Sequence, residues 1–165
     1  MSELVQLYAA VTSTLQAALP ELATVLADAD AHGELQLPAL VHSLVRLRGD
    51  EALRDGRSLL MATLEARITA QGSSAQARTQ AGILAAQVVD QLRQQFWGLD
   101  FVEAARNVTA EAEGASWRVQ WEQPVLLGVA QWPWPDQPPG SLALGFAPET
   151  GSGNQDKYFA PEDLA

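Results

Sequence analysis

Asp28, Asp30, His32, Gly33 and Glu34 follow the order D-x-D-x-x-G that opens a calcium-binding loop, in which alternate carboxylates supply hard oxygen ligands. The twelfth position of that loop, where a bidentate Glu closes the shell, is Ala39, and Pro38 precedes it. The segment is therefore expected to be a turn rather than a calcium site. The chain has two histidines, His32 and His42, and no cysteine, which excludes disulfides, thiolate catalysis and cysteine-ligated zinc. With only two histidines, neither a His-based triad nor a metal centre is expected. His42 sits in an apolar run and is expected to be a core or interface residue. Gly151-Ser152-Gly153 resembles part of a phosphate loop but lacks the lysine that would follow. Asn107-Val108-Thr109 is a glycosylation sequon, meaningful only in a secretory pathway. For a small hydrolase or ligand-binding domain, acids such as Glu65, Glu103 and Glu122 would have to converge in one pocket. With no catalytic set completed, the expectation is a protein that is not an enzyme and carries neither cofactor nor metal.

Two groups of residues suit recognition better than reaction. Arg46, Arg48, Arg54 and Arg57 gather around a turn that also holds Asp50, Glu51 and Asp55. Such a turn is either a solvated ion-pair network or a docking loop. Trp132 and Trp134 lie among Pro133, Pro135, Pro138 and Pro139, where the prolines forbid a core element and leave the indoles as anchors for another surface. Trp117 and Trp121 instead have the spacing of core residues.

The elements that must position these groups follow from periodicity. Leu4, Tyr8, Val11, Leu15 and Leu19 make one stripe of a helix that Ser2 can cap and Pro20 bounds. A short strand fits Ala23 to Ala27, and the β-branched, aliphatic run from Ala39 to Arg48 reads as a buried strand ending at Gly49-Asp50. Leu60, Ala62, Leu64, Ala66 and Ile68 alternate with more polar neighbours, which predicts a second strand over Leu59 to Ala70 and a long-looped hairpin between the two. Gly72-Ser73-Ser74 opens a helix expected to reach about Phe96, with Gly98 as its stop. Val102 to Glu113 and Ser116 to Val129 flank a hairpin turn at Glu113-Gly114-Ala115. In the latter strand, Trp117, Val119, Trp121, Val125, Leu127 and Val129 fall on the core face and Arg118, Gln120 and Glu122 on the wet one. Pro124 argues for an edge or a bulge there. Residues 131–140 are expected to be an extended arm and Pro148 to Ala165 a tail, and Leu142 to Ala147 could form a further short strand. The expectation is an α+β fold, an antiparallel sheet with its helices packed on one face, in a single domain spanning 1–165.

The chain has 165 residues, 47% hydrophobic but only 18% charged, with fifteen glutamines. Much of the surface must be polar without charge, which lowers the desolvation cost of covering it with another subunit. Net charge is −10, with five acids and no base before Arg46, nine of each from Arg46 to Trp121, and six acids against Lys157 thereafter. No basic stripe exists to follow phosphates, so nucleic-acid binding is disfavoured as the main activity, whereas an acidic ring around passing DNA would keep it from sticking. The first eighteen residues lack the basic leader of a signal peptide, and no apolar run approaches a membrane span. A soluble protein made in the cytoplasm, with no membrane partner, is expected.

The strand W-R-V-Q-W-E-Q-P-V-L-L-G (Trp117 to Gly128), with Trp97-Gly98-Leu99 before it and the run from Phe146 to Tyr158 containing P-E-T-G-S-G-N after it, resembles the small tail-terminator proteins of Mu-like contractile phages and R-type pyocins. The order of Leu37-Pro38 and its aliphatic strand, second strand, helix, W-G-L, W-x-V-x-W strand and P-E-x-G-x-G tail is similar from about Leu37 to Tyr158. The resemblance implies a structural protein of the virion tail and neck: a homohexameric ring that caps the tail tube, ends its polymerisation and joins tail to neck. Its partners would be other copies of itself, tube and sheath proteins, and neck or head-tail connector proteins, with DNA passing through unbound. Tyr158 and Phe159 of the tail join the arginines and the arm tryptophans as interface candidates. A neck adaptor or head-completion protein is the alternative on the same evidence.

Overall fold

In a computed structural model, the structure describes residues 3–52, 56–129, 144–146, 148 and 150–160. The chain divides into two compact units, 1–129 and 130–165. The first is built on a five-stranded open sheet: β1 (Thr24–Ala27), β2 (Ala39–Ala52), β3 (Ser58–Thr69), β4 (Arg106–Glu113) and β5 (Ser116–Leu127), in the order β1-β2-β3-β5-β4. Helices α1 (Glu3–Ala18) and α2 (Ser74–Gln91) both pack on one face. The sheet is mixed, not purely antiparallel, because β1 pairs with β2 in parallel, Thr24 beside Ala39 through Ala27 beside His42. All other pairings are antiparallel.

Alternation decides which face is covered. Ala62, Leu64, Ala66 and Ile68 of β3 are fully buried, and register brings Leu40, Val119 and Trp121 beside them. Against this surface α1 lays Leu7, Val11 and Leu15, and α2 lays Ala77, Ala81, Leu84, Ala85 and Val88. The α1 stripe is centred on Leu7 rather than Leu4, since a step of four from Leu7 reaches Val11 and then Leu15. Burying each such leucine stabilises the fold by about 1.5–3 kcal/mol. At the head of α2, the Gln76 side chain accepts from the Ser73 N–H at 3.3 Å and from its hydroxyl at 3.0 Å. Gly82 lets the Trp117 indole lie on the helix and donate to the Arg78 carbonyl at 2.9 Å.

Several boundaries differ from expectation. Strand β2 runs on past Gly49 to Ala52, carried by pairing with β3 through two irregularities. Helix α2 stops at Gln91, not near Phe96. Gln94 and Trp97 take positive φ, which turns Trp97 inward and leaves Phe96 53% exposed. The stop is thus made before Gly98. Strand β4 begins at Arg106, because residues 101–103 instead strap β5 beyond the β4 ladder, Glu103 N–H donating to Pro124 and Leu126 N–H to Phe101. Pro124 therefore sits inside a central strand, at the point where its ladder partner changes. Val129, past the end of β5, is exposed and not core.

In the second unit Leu144 and Phe159 exchange both backbone hydrogen bonds as an isolated antiparallel bridge, so only this residue of the expected strand Leu142 to Ala147 pairs among the described residues. A short 3-10 segment, Ser152–Lys157, precedes Tyr158, whose hydroxyl accepts from the Gly151 N–H at 2.7 Å.

Candidate functional site: the bare sheet face and its edges

The sheet face away from the helices carries the charge. Register places Ser43, Arg46 and Arg48 of β2, Thr63, Glu65, Arg67 and Thr69 of β3, Arg118, Gln120 and Glu122 of β5, and Thr109, Glu111 and Glu113 of β4 on this side. Its centre is an ion-pair chain. Arg67 reaches Glu113 at 3.5 Å and Glu65 at 3.9 Å, and Arg118 reaches Glu111 at 3.2 Å and Glu65 at 4.0 Å. Arg67 and Arg118 are thus engaged by carboxylates, at little gain in stability for such exposed pairs.

Two shallow grooves flank this chain. One, of about 360 Å³, is lined by Asp28, Leu35, Val41, Ser43, Glu65 and Arg67. The other, of about 440 Å³, is lined by Arg46, Thr63, Asn107, Thr109, Gln120 and Glu122 among others. Asn107 lies in the irregular start of β4 with φ +52°, a conformation asparagine tolerates, and its amide donates to Glu122 at 2.7 Å. The three acids do not converge: Glu65 lines the first groove, Glu122 the second, and Glu103 lies in the strap. Asp28 to Asp30 form a 3-10 turn, and no cluster of three metal-ligating side chains occurs among the described residues.

His42 is fully buried between β2 and α1. The Thr12 hydroxyl stands 2.7 Å from its Nε2 and also donates to the Tyr8 carbonyl, so Nε2 carries the proton that Thr12 accepts. Nδ1 has no hydrogen-bond partner among the described residues. Burial pulls the imidazole pKa down to about 4, against a smaller upward pull from Asp28 and Asp30. It is a core histidine.

Sequence reasoning missed Gln123. Fully buried, its carbonyl accepts from the indoles of Trp97 at 2.8 Å and Trp121 at 3.2 Å, and its amide donates to the Gln95 and Glu103 carbonyls. The signal was a polar residue at an odd, core-facing position between Trp121 and Val125.

Among the interface candidates, Arg46 and Arg48 are exposed on the bare face, Arg57 is half-buried, and Phe159 is 47% exposed in the second unit. Tyr158 is half-buried, with its ring where a Cβ on Gly145 would stand. Arg54, Asp55, Trp132 and Trp134 lie outside the described residues, as do the Asp50 and Glu51 side chains and Ser2. No protein-family model matches the chain, and no curated protein matches it.

Proposed function

We propose that the protein is a structural ring subunit of a contractile phage tail or R-type pyocin, a terminator that caps the tube, halts its growth and links it to the neck. The observation that carries the reading is the division of labour between the two sheet faces. One is sealed by both helices. The other carries no helix among the described residues and is shallow-grooved and charged, with Arg67 and Arg118 held by its own carboxylates and Met61 and Pro124 buried at one end. A surface of this kind suits a water-filled bore, because arginines already paired do not hold passing phosphates. The helices' outer faces support the reading too: α1 and α2 carry only Glu3, Arg78 and Asp90 as charges, so a neighbouring subunit can cover them at low desolvation cost.

The test is to mix the purified protein with tail tubes and image them by negative stain. Rings at tube ends and tubes of uniform length are expected. A protein that stays monomeric and leaves tube ends bare, or that binds only neck particles, overturns the terminator reading.

A further inference from the structure

The two edges of the sheet are not alike. Beyond His42 strand β2 has no strand on its outer side among the described residues, since β1 covers only Ala39 to His42. The Leu44 N–H is taken by the Tyr8 hydroxyl at 2.8 Å. Past it, Arg46 and Arg48 point to the bare face, and Leu47, 47% exposed, points to the helix face. At the opposite edge β4 is exposed along nearly its whole length and likewise has no outer strand among the described residues. It presents Glu111 and Glu113 to the bare face and Ala110 and Ala112 to the helix face.

We infer that β4 of one copy adds to the free edge of β2 in the next, with Glu113 opposite Arg46 and Glu111 opposite Arg48. The inference rests on the reading of the protein as a self-assembling ring subunit. Successive antiparallel pairings make β4 run opposite to β2, so two copies facing the same way meet as an antiparallel pair. Glu113 and Glu111 already pair with Arg67 and Arg118 of their own chain, so each would bridge that arginine and one from the next copy on the charged face, while Leu47 falls beside Ala112 on the other. Because β1 blocks the first residues of β2, the incoming strand must sit farther along it. This offset brings the glutamates to the arginines, and it supplies the stagger that a curved, closing sheet requires. Each copy uses two different edges, so the contact is head-to-tail and repeats until it closes. Charges on an edge also protect a sheet from indiscriminate pairing, but like charges on both edges would do that equally well. Opposite signs select one edge for the other.

The test exploits the absence of cysteine. In the full-length chain, L47C/A112C should give a ladder of disulfide-linked oligomers on mild oxidation, and each single-cysteine variant at most a dimer. Separately, R46E/R48E and E111R/E113R should each weaken assembly at least tenfold by sedimentation, the first with a melting temperature near the parent's and the second with a slightly lower one, since it removes the partners of Arg118 and Arg67. Combining all four changes in one chain should restore assembly. Rings on tube ends without the ladder, or reversals that leave assembly unchanged, overturn the edge contact while leaving the terminator reading standing. The ladder and the charge rescue in a protein that ignores tubes uphold the edge contact and remove the terminator reading instead.

Discussion

His42 links folding to acidity. Its pKa near 4 lies below the ordinary value of 6.5, so protons bind the unfolded chain more readily than the folded one. Stability should be full above about pH 6.5 and fall as pH drops towards 4, by about 3 kcal/mol for this shift. Denaturant midpoints measured across that window check it, and His42→Gln should flatten the slope. Gln123 tests a different cost. Replacing it with Leu strands two buried indole N–H groups, at about 1–3 kcal/mol each before relaxation, and takes a donor from the Gln95 and Glu103 carbonyls, of which the former keeps the Ala105 N–H. Equilibrium unfolding should show a loss of about 3 kcal/mol or more, and unfolding unchanged within about 0.5 kcal/mol would show that water replaces the amide.

At the scale of elements, α2 and β5 are coupled through one contact. A Cβ at Gly82 would stand 3.0 Å from the Trp117 Nε1, and the ring cannot slide freely while it donates to Arg78. Alanine normally improves a helix interior by about 1 kcal/mol over glycine. Gly82→Ala should therefore destabilise the parent yet stabilise a Trp117→Val background, a non-additivity readable from a double-mutant cycle. The same elements show what the sequence could convey. The alternation in β3 was legible because one face is buried and the other is wet, so Leu64 and Glu65 declare their sides. The end of α2 was not, because Leu92, Arg93 and Gln95 all suit a helix, and what ends it is the distant pull of Gln123 on Trp97. The direction of β1 was equally hidden, since four residues can pair either way and only the path through Pro38 decides. At the candidate site, the arginines of β2 stood out as a cluster, whereas the alternating A-E-A-E of β4 acquires meaning only once topology makes it the far edge.

For the whole molecule, neutrality in the middle of the sequence conceals charges of opposite sign at the two free edges, Arg46 and Arg48 on one and Glu111 and Glu113 on the other. An assembly joined by those edges should loosen with salt, because exposed charges more than about 10 Å apart are already screened near 0.1 M and contact pairs weaken further above it. Sedimentation between about 0.05 and about 0.5 M sodium chloride should show smaller species as salt rises, a trend opposite to that of an interface held by apolar burial alone.

Residues 92–105 contain neither a regular helix nor a strand, yet Gln123 fastens them at Gln95, Trp97 and Glu103. Their amides at Leu99 and Ala105 are bonded as well, to Phe96 and Gln95. In solvent exchange such a segment should trade its protons as slowly as the central strands, opening only when β5 itself opens. What looks like a connecting loop would then belong, in its timing, to the last part of the fold to let go.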